Sequence, residues 1–152
     1  MKKLMSINLL FVLVLFITMG CGCEPDPIEP MYPTEITTVA DLDGHWEFVS
    51  LEVPGLNGTP VTECSGLIEW VAGWTNVLLI FDFDASTEKA TITDICTGEH
   101  PRENATYYIN GNSIIIGGAV YSMIPDGYDN LTGELDLTIP NHPGTTLTVQ
   151  KQ

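Results

Sequence analysis

Basic residues are scarce in this sequence. The 152-residue chain has five Lys and Arg against twenty Asp and Glu. Phosphate binding needs clustered Lys and Arg, so nucleic acid is excluded as a partner. Docking on an anionic membrane through a basic patch is excluded on the same ground. Catalytic signatures are missing as well. There is no Gly-x-Ser-x-Gly, no Gly-rich phosphate loop and no His-Glu-x-x-His. No Cys-x-x-Cys occurs, and no His lies at zinc spacing from Cys64 or Cys96. The expectation is a protein that is not an enzyme and holds neither metal nor cofactor. Sustained helical periodicity is also absent. What remains is 44% hydrophobic, too apolar for a disordered acidic tail, and one domain in length.

The N-terminus is the exception to the acidic bias. Met1-Lys2-Lys3 is a short basic start, followed by an apolar run from Ile7 to Ile17 broken only by Asn8. Basic, apolar and small-residue regions in that order make a secretory signal over residues 1–20. The run is shorter than the roughly 20 apolar residues of a spanning helix. Met19-Gly20-Cys21 resembles the lipobox of bacterial lipoproteins. That resemblance implies cleavage before Cys21, lipidation of Cys21, and a place in the bacterial cell envelope, on the outer membrane. Several acyl chains, at about 0.8 kcal/mol per buried methylene, hold a protein on a membrane without a spanning helix. Cleavage would leave Lys89, Arg102 and Lys151 as the only basic residues against all twenty acidic ones.

Residues 21–40 read as a linker. Pro25, Pro27, Pro30 and Pro33 alternate with Glu24, Asp26, Glu29 and Glu35, which makes a stiff, extended segment. Residues 41–152 then read as strands. In Asn76–Asp84, Val77, Leu79, Phe81 and Phe83 share one face, and Asp82 and Asp84 the other. Gly133–Ile139 and Thr145–Lys151 alternate in the same way. His45–Val53, Glu88–Cys96, Asn104–Ile109, Asn112–Ile116 and Ala119–Ile124 complete a set of eight strands. Asn110-Gly111 and Gly117-Gly118 are hairpin signals, and Pro125–Asn130 and Pro140–Gly144 read as longer turns. Eight antiparallel strands in a meander make an up-and-down barrel or a two-layer sandwich.

The entry to the first strand favours the barrel. Asp41-Leu42-Asp43-Gly44-His45-Trp46 resembles the Gly-x-Trp entry of lipocalins and lipocalin-like bacterial lipoproteins. The resemblance implies an all-β, eight-stranded antiparallel up-and-down barrel. Gly44 and Trp46 would then sit at its closed end, with Lys151 placed to cover Trp46. The longest connection, Pro54–Thr75, would lie over the open mouth as a lid, because loops of that length are usually functional or carry their own structure. Cys64 in that lid and Cys96 at the end of the third strand fall at the same end of the barrel. In an oxidising compartment they are expected to form a disulfide worth about 3.5–4 kcal/mol. Cys23 is left over.

The tentative ligand-binding residues are Trp70 and Trp74 of the lid with Leu79, Phe81 and Leu137 of the lumen. Glu63, Glu69 and Glu99, with His100 and His142, would rim the mouth. Such carboxylates disfavour an anion, so the expected ligand is a small apolar molecule, neutral or cationic. The alternative is a barrel filled by its own large side chains, acting as a structural or protein-interaction lipoprotein with an envelope protein as partner. The two His are most simply solvated, Asp126–Asn130 lacks calcium-loop spacing, and Asp82 and Asp84 read as a solvated strand face. Mass spectrometry of membrane-extracted protein should show an acylated peptide beginning at Cys21; an unmodified Met1 start would remove the anchor.

Overall fold

Alternation decides which face of each strand goes inside. A computed structural model of the protein describes residues 32–56, 59–65 and 77–152. Eight strands follow a four-residue helix, α1 (Val39–Leu42). They are β1 (Gly44–Glu52), β2 (Leu79–Asp84), β3 (Lys89–Asp94), β4 (Arg102–Asn110), β5 (Ser113–Ile116), β6 (Ala119–Asp129), β7 (Glu134–Ile139) and β8 (His142–Lys151). Each pairs antiparallel with the next, and β8 returns to β1, closing the barrel in up-and-down order. In β2, Leu79, Phe81 and Phe83 are buried while Asp82 and Asp84 are exposed. In β7, Leu135, Leu137 and Ile139 are buried. The eight-stranded barrel expected from the sequence is the fold, and the sandwich is not.

Two-residue turns fix the register where the chain supplies glycine. Gly117 (φ 54°) and Gly118 (φ 83°) join β5 to β6 inside the Ile116–Ala119 pair. Two consecutive positive φ angles are what a type I′ turn requires, and its twist matches the strands. The β4–β5 loop is Gly111-Asn112, one residue later than the expected Asn110-Gly111, because Asn110 pairs with Ser113. Two expected turns are instead largely strand. β6 continues to Asp129, and Met123 and Tyr128 pair with Leu137 and Leu135. Pro125, Asp126 and Gly127 are absorbed as a bulge in which Asp126 takes φ 59°. β8 likewise begins at His142, with a register shift beside Ile139.

The closed end is built around Trp46. It pairs with Phe81 on β2 and with Lys151 on β8, so it lies at the seam of the barrel. Its ring is fully buried, and its indole N–H donates to the Leu42 carbonyl at 2.7 Å. A buried indole N–H needs such a partner. The Lys151 ammonium lies 5.6 Å from the ring centroid and donates to the Asp41 carbonyl at 3.0 Å. Burial pulls the Lys151 pKa down, against the opposing charges of Asp43 and Asp41.

α1 is held by side chains on both sides of it. Burial pushes the Asp41 carboxyl up, but hydrogen bonds from Thr37 and Thr38 outweigh that and hold it below its ordinary value. Tyr107 reaches across the barrel floor to donate to the Val39 carbonyl at 3.1 Å. The segment before α1 packs as well, although residues 21–40 were expected to be linker. Ile36 is buried, and Tyr32 donates to the Lys151 carbonyl at 3.4 Å. A Cβ on Gly133 would meet the Tyr32 ring at 2.8 Å. The packed unit therefore extends at least to Tyr32. Cys21 and Cys23 lie outside the described residues.

Trp46→Ala should lower the unfolding free energy by about 3–5 kcal/mol, read from urea denaturation. An unchanged midpoint would contradict its place at the seam.

Candidate binding site at the barrel mouth

The lumen comes first, because ligand binding was expected there. Phe81 on β2 and Tyr121 on β6 meet edge to face, ring centroids 5.4 Å apart. These strands stand four apart in a ring of eight, on opposite walls. Phe83 stacks with Phe81 at 5.8 Å and meets Tyr107 of β4 at 4.8 Å. Leu79, Phe81 and Leu137 are 1%, 1% and 2% exposed. The three side chains expected to line a ligand chamber are thus core, and none lines the four open hollows formed by described residues. Burial in this packing pushes the Tyr121 and Tyr107 phenols up to about 12 each. The nearby Arg102 charge opposes that rise at Tyr121. Trp70 and Trp74 lie outside the described residues.

The mouth loops are anchored by one covalent bond and one buried carboxylate. Cys64 and Cys96 form a disulfide with Cα atoms 5.5 Å apart, as expected. The segment before Cys64 also touches β1, where Leu51 and Val61 exchange backbone hydrogen bonds at 2.8 Å. Asp94, only 1% exposed, accepts from the Cys96 and Thr97 amides at 2.8 and 3.0 Å. Its own carbonyl accepts from Gly98 at 2.8 Å. Asp94 therefore shapes the turn that presents Cys96. It looked like the polar end of a strand in the sequence, although Asp two residues before Cys is a recognisable Asx-turn pattern.

Between the β3–β4, β5–β6 and β7–β8 connections lies an open cleft of about 690 Å³. Arg102 and Pro101 border one side, Gly117-Gly118 the middle, and Asn141 and His142 the other. Val120, Tyr121 and Ile139 supply its apolar wall. Among the described residues, no Asp or Glu lines it. Of the acidic rim expected at the mouth, Glu63 and Glu99 do not line this cleft, and Glu69 lies outside the described residues. A second hollow, of about 240 Å³, adjoins it through Asn141 and His142 and includes Thr145. The Thr145 hydroxyl is buried with no hydrogen-bond partner.

The other polar candidates are dispersed. His100 is exposed, shares a 3.0 Å hydrogen bond with Thr93, and does not line the cleft. His45 pairs with Asp82 on the outer wall near the closed end. Asp84 is exposed and accepts from Ser86 and Thr87, capping its own turn. Among the described residues, no group of three or more His, Cys, Asp or Glu is placed to hold a metal ion.

The fold and site define a closed, up-and-down, eight-stranded barrel with a packed interior and an open cleft at one end that no described carboxylate lines. The chain matches no protein-family model and no curated protein sequence.

Cys96→Ser should lower the unfolding free energy by about 3–4 kcal/mol on the chain-entropy account of a 32-residue separation. Non-reducing peptide mapping should recover the Cys64 and Cys96 peptides joined. Separate peptides would rule the bond out.

Proposed function

We propose that this chain is an envelope-anchored, lipocalin-like lipoprotein of the filled-barrel type, which makes its contacts at the mouth and not inside a lumen. The observation that carries the reading is the Phe81–Tyr121 contact, which joins opposite walls through the barrel axis. An eight-stranded barrel has room only for its own side chains or for one small ligand. Here the aromatic side chains take that room. The lipid anchor rests on the signal-like residues 1–20 and on Cys21. The lipocalin-like assignment rests on the Gly44-x-Trp46 entry, the Lys151 cover over Trp46, and the strand order. The role is adhesive or structural, and no catalytic step belongs to it.

The test is a titration with a neutral apolar dye, N-phenyl-1-naphthylamine. Wild-type protein should show no saturable binding. Phe81→Ala, which leaves an apolar void, should acquire it, because dry engineered cavities bind aromatic molecules. Saturable binding by the wild type would instead favour a carrier with its ligand under the Pro54–Thr75 lid.

A further inference from the structure

The cleft at the mouth contains the only arginine of the chain, and a bulge puts it there. β3 and β4 pair Ala90 with Ala105, and then Ile92 with Arg102. Two steps on β3 thus match three on β4. Continued in regular register, Ile92 would face Glu103. One extra residue on β4, where Asn104 takes φ 47°, sets Arg102 there in its place. Residues directly opposite each other share a face, and Ile92 is fully buried on the inner one. The irregularity therefore exchanges an acid for a base at the rim. Bulges next to functional sites commonly re-aim a side chain in this way.

The guanidinium is positioned but not neutralised. Its stem lies against the β5–β6 turn, with Cδ 3.0 Å and Nε 3.2 Å from where a Cβ on Gly117 would sit. One terminal nitrogen donates to the Pro101 carbonyl at 2.6 Å. Among the described residues no carboxylate stands within ion-pair distance, although acids outnumber bases four to one in the chain. A guanidinium has five N–H donors in a planar fork suited to carboxylate and phosphate. Beside it, Val120 and Ile139 give the cleft an apolar wall. That wall, a single arginine and the lack of any acid among the described lining residues together select one kind of molecule.

We infer that the mouth cleft binds a small amphiphile through its anionic head group, a carboxylate or a phosphate, held by Arg102 with the apolar part against Val120 and Ile139. The inference rests on the filled-barrel reading, since it places the ligand on the rim. It differs from the neutral or cationic ligand expected from an acidic rim: the local lining decides the sign at short range, and salt screens acids beyond about 8–10 Å.

The test pairs two dyes with similar ring systems, 8-anilinonaphthalene-1-sulfonate and neutral N-phenyl-1-naphthylamine. Folded wild-type protein should bind the sulfonate saturably and the neutral dye not at all. Arg102→Gln should weaken sulfonate binding about ten-fold or more, as expected for loss of a charge-assisted contact. Arg102→Lys should recover part of it, and added salt should weaken the wild type most. Lys89→Gln, which removes an equal charge far from the mouth, should leave binding unchanged. Equal losses in the Arg102→Gln and Lys89→Gln variants would reduce the effect to net charge and overturn the inference. Gly117→Ala, which crowds the arginine stem, should also weaken binding; matched melting temperatures confirm that each variant is folded. Competition identifies the head group. Displacement by decanoate points to a carboxylate and by decyl phosphate to a phosphate, and displacement by neither overturns the proposal. Neutral-dye binding that ignores Arg102→Gln would sink the filled-barrel reading, whereas loss of sulfonate selectivity alone would sink only this one.

Discussion

The barrel depends on burying Trp46 where its first strand meets its last. A meander of eight strands closes only if β1 and β8 pair, and Trp46 is opposite Lys151 in that pairing and opposite Phe81 in the next. Large aromatic side chains bury 150–250 Å² each, so this one residue supplies much of the apolar area at the seam. Every polar group brought in with it is satisfied locally. The indole N–H reaches the Leu42 carbonyl and the Lys151 ammonium reaches that of Asp41. Both acceptors belong to α1, which is why so short a helix persists: tertiary contacts hold it, since four residues are far too few for intrinsic helical stability.

The two ends of the barrel are stabilised by different means. The plugged end relies on packing, with Ile36, Leu42 and Trp46 buried beneath Tyr32 and Lys151. The mouth carries the longest connection, between β1 and β2. It is held by the Cys64–Cys96 bond, the Asp94 carboxylate and the short bridge between Leu51 and Val61. This division leaves the mouth free to carry residues chosen for contact with other molecules, as loops on rigid scaffolds commonly do.

Much of the fold was legible because alternation is local information. The faces of β2, β7 and β8 could be read residue by residue, and so could the Gly117-Gly118 turn and the meeting of the two cysteines. Register irregularities were not legible. A bulge depends on what the neighbouring strand pairs with, and a slip of one residue reverses which face each side chain occupies. Arg102 and Glu103 are adjacent, and nothing in the local sequence says which turns inward. The same limit hid the continuation of β6 through Pro125, Asp126 and Gly127, three residues that signal a turn in isolation. Residues 32–40 looked like linker because their composition is polar and proline-bearing. Their packing comes from Tyr32, Ile36 and Val39, too few residues to make a pattern.

Closure of the sheet has a consequence for crowding. An open sheet presents unpaired backbone donors and acceptors along its outer strands, and those rows recruit further strands from neighbouring molecules. In this ring β1 and β8 satisfy one another. Copies confined to a surface, colliding far more often than in free solution, would find no strand edge on which to template a growing fibril.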